Sequence, residues 1–191
     1  MKAFRIAVPA LALAVMVGAV AAADKGEKLV SGPQVDQQVP GPFHPLNVTG
    51  EQAGQKFCLY CVNGTNPVAM IFARETSPEL TSLIKKIDAA TENNKKHEMG
   101  SFVVFLSDKE GLDKELKQMA GDAGLKKIVL AIDNPAGPQK YKVSKEADVT
   151  VVLYNEHLVK ANYAFKKGQL KNKDIEKIVS DVSKIVPTDK Q

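Results

Sequence analysis

An α/β domain behind an export signal is predicted for this chain of 191 residues, on three observations. Short apolar runs of buried-strand type alternate with segments whose apolar residues recur at helical spacing, the pattern of strands exchanged with packing helices. A basic start, an apolar stretch and a small-residue site open the chain. Its two cysteines stand together as Cys58-Leu59-Tyr60-Cys61, just before the most apolar run.

The first of these runs, Pro67 to Arg74, is expected to be a central strand because Val68 to Ala73 carries no charge. Before it, Lys56 to Val62 reads as a short strand and Asn63-Gly64-Thr65-Asn66 as a turn. After it, Thr76-Ser77-Pro78-Glu79 has capping-box spacing. Thr76 is the expected cap, Glu79 the residue reaching back and Pro78 a harmless first-turn residue. Leu80, Leu83, Ile84 and Ile87 then mark one face of a helix. Glu92 to His97 is a polar loop, and Ser101 to Leu106 is the next strand. Leu112 to Ala123 is a second helix stopped by Gly124, with Leu112, Leu116 and Met119 inward. Lys127 to Ile132 is another strand, and Pro138 to Ala147 is irregular. Val149 to Tyr154 and Leu158 to Phe165 pair as a hairpin through Asn155-Glu156-His157. A last helix, about 172–185, turns Ile175, Ile178, Val179, Val182 and Ile185 to one side.

Domain organisation follows from composition. Residues 1–23 read as a cleaved signal peptide, with Lys2 and Arg5 ahead of an apolar middle and Ala21-Ala22-Ala23 at the cut. An uncleaved anchor is disfavoured by the Ala and Gly content of that stretch and by Pro9. Residues 24–45, with Pro33, Pro40, Pro42 and Pro45, read as an extended linker reaching the domain surface at its end, and 46–188 as the domain. The formal charge is +4, of which Lys2 and Arg5 contribute two, and no basic stripe appears. That excludes nucleic acid as a partner. Once the signal is removed, no membrane association is expected.

Two cysteines at this spacing, in an oxidising compartment, can close a disulfide, exchange with another thiol or hold a soft metal. A closed metal site usually needs four ligands, and His44, His97 and His157 lie far apart in sequence, so neither metal nor cofactor is expected. Redox exchange and a static clasp both remain open. Tyr60 could donate a hydrogen bond to a sulfur or a partner, or simply pack. Thr76 could polarise a group bound at the helix start, with capping as the plainer account. The sequons at Asn47 and Asn63 read as chance matches.

Strand, helix, strand, helix, strand, hairpin, helix, together with the C-x-x-C and the closing hairpin-Gly168-helix pattern, resembles the thioredoxin-like superfamily over about residues 46–186. The resemblance implies a three-layer fold, a mixed central sheet with helices on both faces, with the peroxiredoxin-like branch as a candidate placing. It further implies an exported thiol-disulfide oxidoreductase or electron carrier acting on a protein thiol or disulfide. By analogy, Cys58 would be the exposed attacking thiolate and Cys61 the resolving thiol. The chain departs from the family at two places. The family's cysteine pair opens the helix after the central strand, where Thr76-Ser77-Pro78 stands here, and a peroxidatic cysteine would have to replace Ser77. The family's cis-proline falls at Val149-Thr150, the expected partner-facing strand start, and no proline is present there. The alternative is therefore a non-catalytic binding or scaffold domain whose bridge is structural.

Overall fold

Six strands form one mixed sheet in the order β1-β4-β3-β2-β5-β6. The computed structural model describes Met1 and residues 29–187; apart from Met1, the predicted signal and the linker through residue 28 lie outside the described residues. At the centre, β2 (Val68–Ala73) is buried along its whole length. It runs parallel to β3 (Gly100–Leu106) and antiparallel to β5 (Val149–Asn155). Outward, β4 (Val129–Asp133) is parallel to β3, β1 (Leu46–Asn47) is antiparallel to β4, and β6 (Leu158–Phe165) is antiparallel to β5.

One face carries α2 (Pro78–Asn93), α3 (Leu112–Ala123) and α4 (Asn172–Ser180). Leu80, Leu83, Ile84 and Ile87 of α2, Leu116 of α3 and Ile175 and Ile178 of α4 meet Ile71, Val103 and Val151 from the sheet in one apolar core. Consecutive parallel connections β2-α2-β3 and β3-α3-β4 step across the sheet in the same direction. Right-handed crossover then puts both helices on one side. The predicted faces of α2 and α3 are the buried ones, but the cap of α2 is Ser77, whose Oγ accepts the Leu80 N–H at 3.1 Å. Thr76 instead donates to Glu115 of α3 at 2.7 Å.

The other face holds a second core built from Phe72, Phe102, Val152 and Tyr154 of the strands and from Val39, Phe43, Leu59 and Tyr141. Much of its cover is chain expected to be a linker. Ser31 is fully buried, with its hydroxyl 2.7 Å from that of Thr150, and Asn162 donates to the carbonyls of Ser31 and Pro33. Gly32 takes φ 73°, and a Cβ there would stand 3.2 Å from Thr150, so a side chain would be strained twice over. Further along, Val39 donates its N–H to His157 O, and the Phe43 ring lies 4.9 Å from that of Tyr141. The segment is extended, as its prolines suggest, and it lies on the sheet.

One element differs in kind from its expectation. Where Lys56 to Val62 is predicted as a strand, the helix α1 (Leu59–Asn63) forms instead, extending one residue into the predicted turn. Lys56 makes only an isolated bridge to Leu46, whereas Cys58 through Asn63 close a helical turn. A short apolar run does not distinguish the two by its pattern. The start of β4 also moves, from Lys127 to Val129, because the Asp88 carboxylate holds the N–H groups of Lys126, Lys127 and Ile128. The last helix stops at Ser180 and tightens into a 3-10 turn over Asp181–Lys184.

Three of the four tyrosines are locked into this packing. Burial raises the phenols of Tyr141 and Tyr154 well above their ordinary range. For Tyr163 burial is joined by the hydrogen bond to Asp181 and by that carboxylate's charge. An acid whose pKa is raised on folding contributes stability in full below its unfolded value, about 10 for a phenol, and loses it as pH rises toward the folded value. Alkaline titration should therefore release these three phenolates together with the loss of far-ultraviolet circular dichroism. Gradual ionisation of the three in folded protein would contradict the packing.

Candidate functional site

Cys58 precedes α1 in an extended conformation and caps it: its Sγ accepts the Cys61 N–H at 3.1 Å. The two sulfurs are joined in a disulfide, with Cα atoms 5.2 Å apart, a separation one helical turn supplies without distortion. The partners differ in exposure. Cys58 is 5% exposed and precedes Leu59, a member of the second core, whereas Cys61 is exposed and is followed by Val62 at 62%. This reverses the expected order, in which Cys58 was the accessible cysteine. Leu59 points to the core and so carries Cys58 inward with it, while Cys61 lies on the opposite side of the turn.

Contacts from distant parts of the chain hold α1. Asn63 donates from its side chain to Leu59 O at 2.7 Å and lies against Gly100, the first residue of β3. A Cβ on Gly100 would fall 1.7 Å from the Asn63 Oδ1, so this approach requires glycine. Tyr60 is half-buried with its ring centroid 4.9 Å from that of His157, at the tip of the β5–β6 hairpin, and Glu156 donates its N–H to Thr65 O. Of the three histidines, the structure brings His157 to the cysteines' helix; His44 is exposed. Both sequon asparagines are engaged in the fold, Asn47 buried and Asn63 bonded to Leu59.

The remaining candidates lie elsewhere. Val68, which follows the cysteine helix, pairs with Tyr154, while Ala73 at the far end of β2 pairs with Val149 and Phe72 with Thr150. The six residues of β2 separate the two ends by about 17 Å at the usual rise per residue. Cys58, Tyr60 and Cys61 thus occupy one end of the sheet and Thr76, Val149 and Thr150 the other. At that second end Thr76 is bonded to Glu115, Val149 is buried in the first core and Thr150 is fully buried against Ser31. Arg74 donates three hydrogen bonds to carbonyls of the 135–147 loop, which leads into β5. Burial, the Glu75 charge and then the weaker pull of Lys167 and Arg74 leave the nearby Asp148 carboxyl raised. Among the described residues, no cluster of His, Cys, Asp and Glu is arranged to hold a metal ion, and no helix is long and apolar enough to cross a membrane.

The central β2-α2-β3 unit, the antiparallel β5–β6 hairpin and α4 define a thioredoxin-like fold. Solved structures similar to it include a candidate protein disulfide isomerase from Bacteroides thetaiotaomicron, with TM-score 0.61 and 12% identity over 83% of this chain and 94% of that one. A candidate thiol:disulfide interchange protein DsbE from Chlorobium tepidum has TM-score 0.58 and 15% identity, over 83% and 99%. A secreted disulfide oxidoreductase from Mycobacterium tuberculosis, homologous to E. coli DsbE, has TM-score 0.55 and 10% identity, over 74% and 95%. At such identities the likeness is one of fold. No family model matches the chain, and no curated protein matches it in sequence.

Proposed function

We propose that the protein is an exported thiol-disulfide oxidoreductase or electron carrier in which the Cys58–Cys61 bridge is entered at Cys61. The observation that carries this reading is the asymmetry of the pair: one cysteine faces solvent, the other is buried at a hydrogen-bond donor. An incoming thiolate from a partner protein attacks Cys61 Sγ in line with the bridge. A new S–S bond forms to Cys61, the old one breaks, and its electron pair leaves on Cys58 Sγ. There the Cys61 N–H favours the thiolate, and burial opposes it. Because α1 is five residues long, this single amide rather than a helix dipole is the local donor. The partner's second thiol, deprotonated, then attacks its own sulfur in the mixed disulfide and expels the Cys61 thiolate. The partner gains a disulfide, the pair becomes a dithiol, and the protons released by the partner's thiols balance the two new thiols.

Export is supported by the predicted signal and by the need of an oxidising compartment to keep the bridge closed. The rival reading is a structural clasp, favoured by the absence of cysteine at Thr76-Ser77-Pro78 and by the burial of Leu59. A pair of single variants separates them. Cys58→Ser, which leaves the exposed Cys61, should form a mixed disulfide with oxidised glutathione at least about tenfold faster than Cys61→Ser, as the difference in access dictates. Equal and negligible reactivity, with a wild-type potential below about −300 mV, would establish the clasp instead.

A further inference from the structure

The turn between β5 and β6 is built from residues that suit it poorly. Glu156 and His157 both take left-handed backbone angles, φ 50° and 61°, in a two-residue hairpin loop that Asn-Gly fits without strain. Glutamate is seldom found in this conformation, and histidine, although enriched there among non-glycine residues, adopts it less readily than glycine. Strain of this kind persists where surrounding contacts over-determine it, and the contacts here all run toward the cysteine helix or its cover. The His157 ring lies 4.9 Å from that of Tyr60, with planes 32° apart. Glu156 N–H is bonded to Thr65 O, just beyond α1, at 3.0 Å. The His157 carbonyl accepts Val39 N–H at 2.8 Å, and its Nδ1 is buried without a hydrogen-bond partner. Tyr60 is one of the two residues between the cysteines.

We infer that His157 is a positioning residue for the Cys58–Cys61 couple, holding Tyr60 so that the two sulfurs stay at bridging distance when the disulfide is opened. The inference rests on the reading of that pair as exchangeable. When the S–S bond breaks, the four-residue turn loses its covalent closure. What then keeps the sulfurs together is the non-covalent seating of Leu59 beneath and of Tyr60 against the hairpin tip. A seated dithiol has a high effective concentration of one thiol at the other, which favours closure and makes the couple more reducing. An aromatic contact of this geometry contributes enough to matter on that scale.

The test is the equilibrium of the bridge with dithiothreitol mixtures, read by thiol alkylation in the intact protein, alongside thermal unfolding of the oxidised form. His157→Gly relieves the turn while losing the ring contact, so the oxidised protein should stay within a few degrees of the wild-type Tm. Its bridge should nevertheless shift toward the dithiol by roughly tenfold, about 30 mV for a two-electron couple. His157→Phe keeps a ring and should stay within about threefold of wild type. Tyr60→Leu, which removes the contact from the other side without touching the turn, should reproduce the glycine variant's shift. Wild-type potentials in both His157→Gly and Tyr60→Leu would overturn the role of His157. Because the equilibrium exists even for a bridge that meets no partner, that result leaves the exchange reading to stand or fall on the reactivity of Cys61.

Discussion

Asp88→Ala is expected to lower the unfolding free energy by about 2–4 kcal/mol, read from urea denaturation at neutral pH with the slope unchanged. The side chain is 8% exposed and lies on the α2 surface that faces the start of β4. Its Oδ1 accepts the N–H groups of Lys127 and Ile128 at 2.7 and 2.8 Å, and both oxygens share that of Lys126. Charge-assisted bonds of this kind are roughly twice as strong as neutral ones. Losing them leaves the buried Ile128 N–H without an acceptor, while the amides of Lys126 and Lys127, at exposed positions, can turn to water. The deficit is therefore less than three full bonds. Asn keeps one acceptor oxygen, so Asp88→Asn should lose about half as much. A loss below about 0.5 kcal/mol for the alanine variant, as at an ordinary surface site, would contradict the role assigned to this carboxylate.

Arg74→Ala is expected to cost about 2–3 kcal/mol and to open the loop before β5 to protease. The guanidinium reaches the carbonyls of Pro135, Ser144 and Ala147 at 2.9 to 3.1 Å, using three of its five donors in a planar fork. Lysine offers a point charge on a flexible stem and should recover less than half of the loss. Trypsin should nick the variant at Lys140, Lys142 or Lys145, all exposed, before the rest of the domain is cut. The same loop delivers Val149 and Thr150 to β5. In this chain the end of the sheet that faces partners in the resembled family is thus tied down by an arginine and by Ser31. Unchanged trypsin sensitivity in the variant would show that the loop holds itself.

How far the molecule was legible in its sequence differs from element to element. α3 begins and ends where its apolar spacing and Gly124 place it, and β2 occupies the uncharged run. Such features are local: a glycine that can take φ 65°, or six apolar residues between turn signals, act on the chain wherever it sits. The cap of α2 was misplaced by one residue because Thr76 and Ser77 are chemically interchangeable there, and Glu115, thirty-nine residues away, claims the threonine. α1 is not legible in the sequence because Lys56 to Val62 is too short for its periodicity to separate helix from strand. The burial of the segment around Ser31 has no local signal, since its anchors, Thr150 and Asn162, lie more than a hundred residues on.

The amino-acid sequence by itself determined an α/β chain of thioredoxin-like element order and a pair of cysteines spaced to bridge, since both depend on residues within a few positions of one another. Tertiary structure alone decided that the pair sits at the end of β2 remote from Thr76, Val149 and Thr150, that Cys61 rather than Cys58 meets solvent, and that His157 comes to rest on Tyr60. Those outcomes follow from which distant surfaces bury one another, Leu59 against the second core and the hairpin tip against α1. No local pattern encodes such a choice, because the free energy that makes it is shared among side chains the chain brings together only on folding.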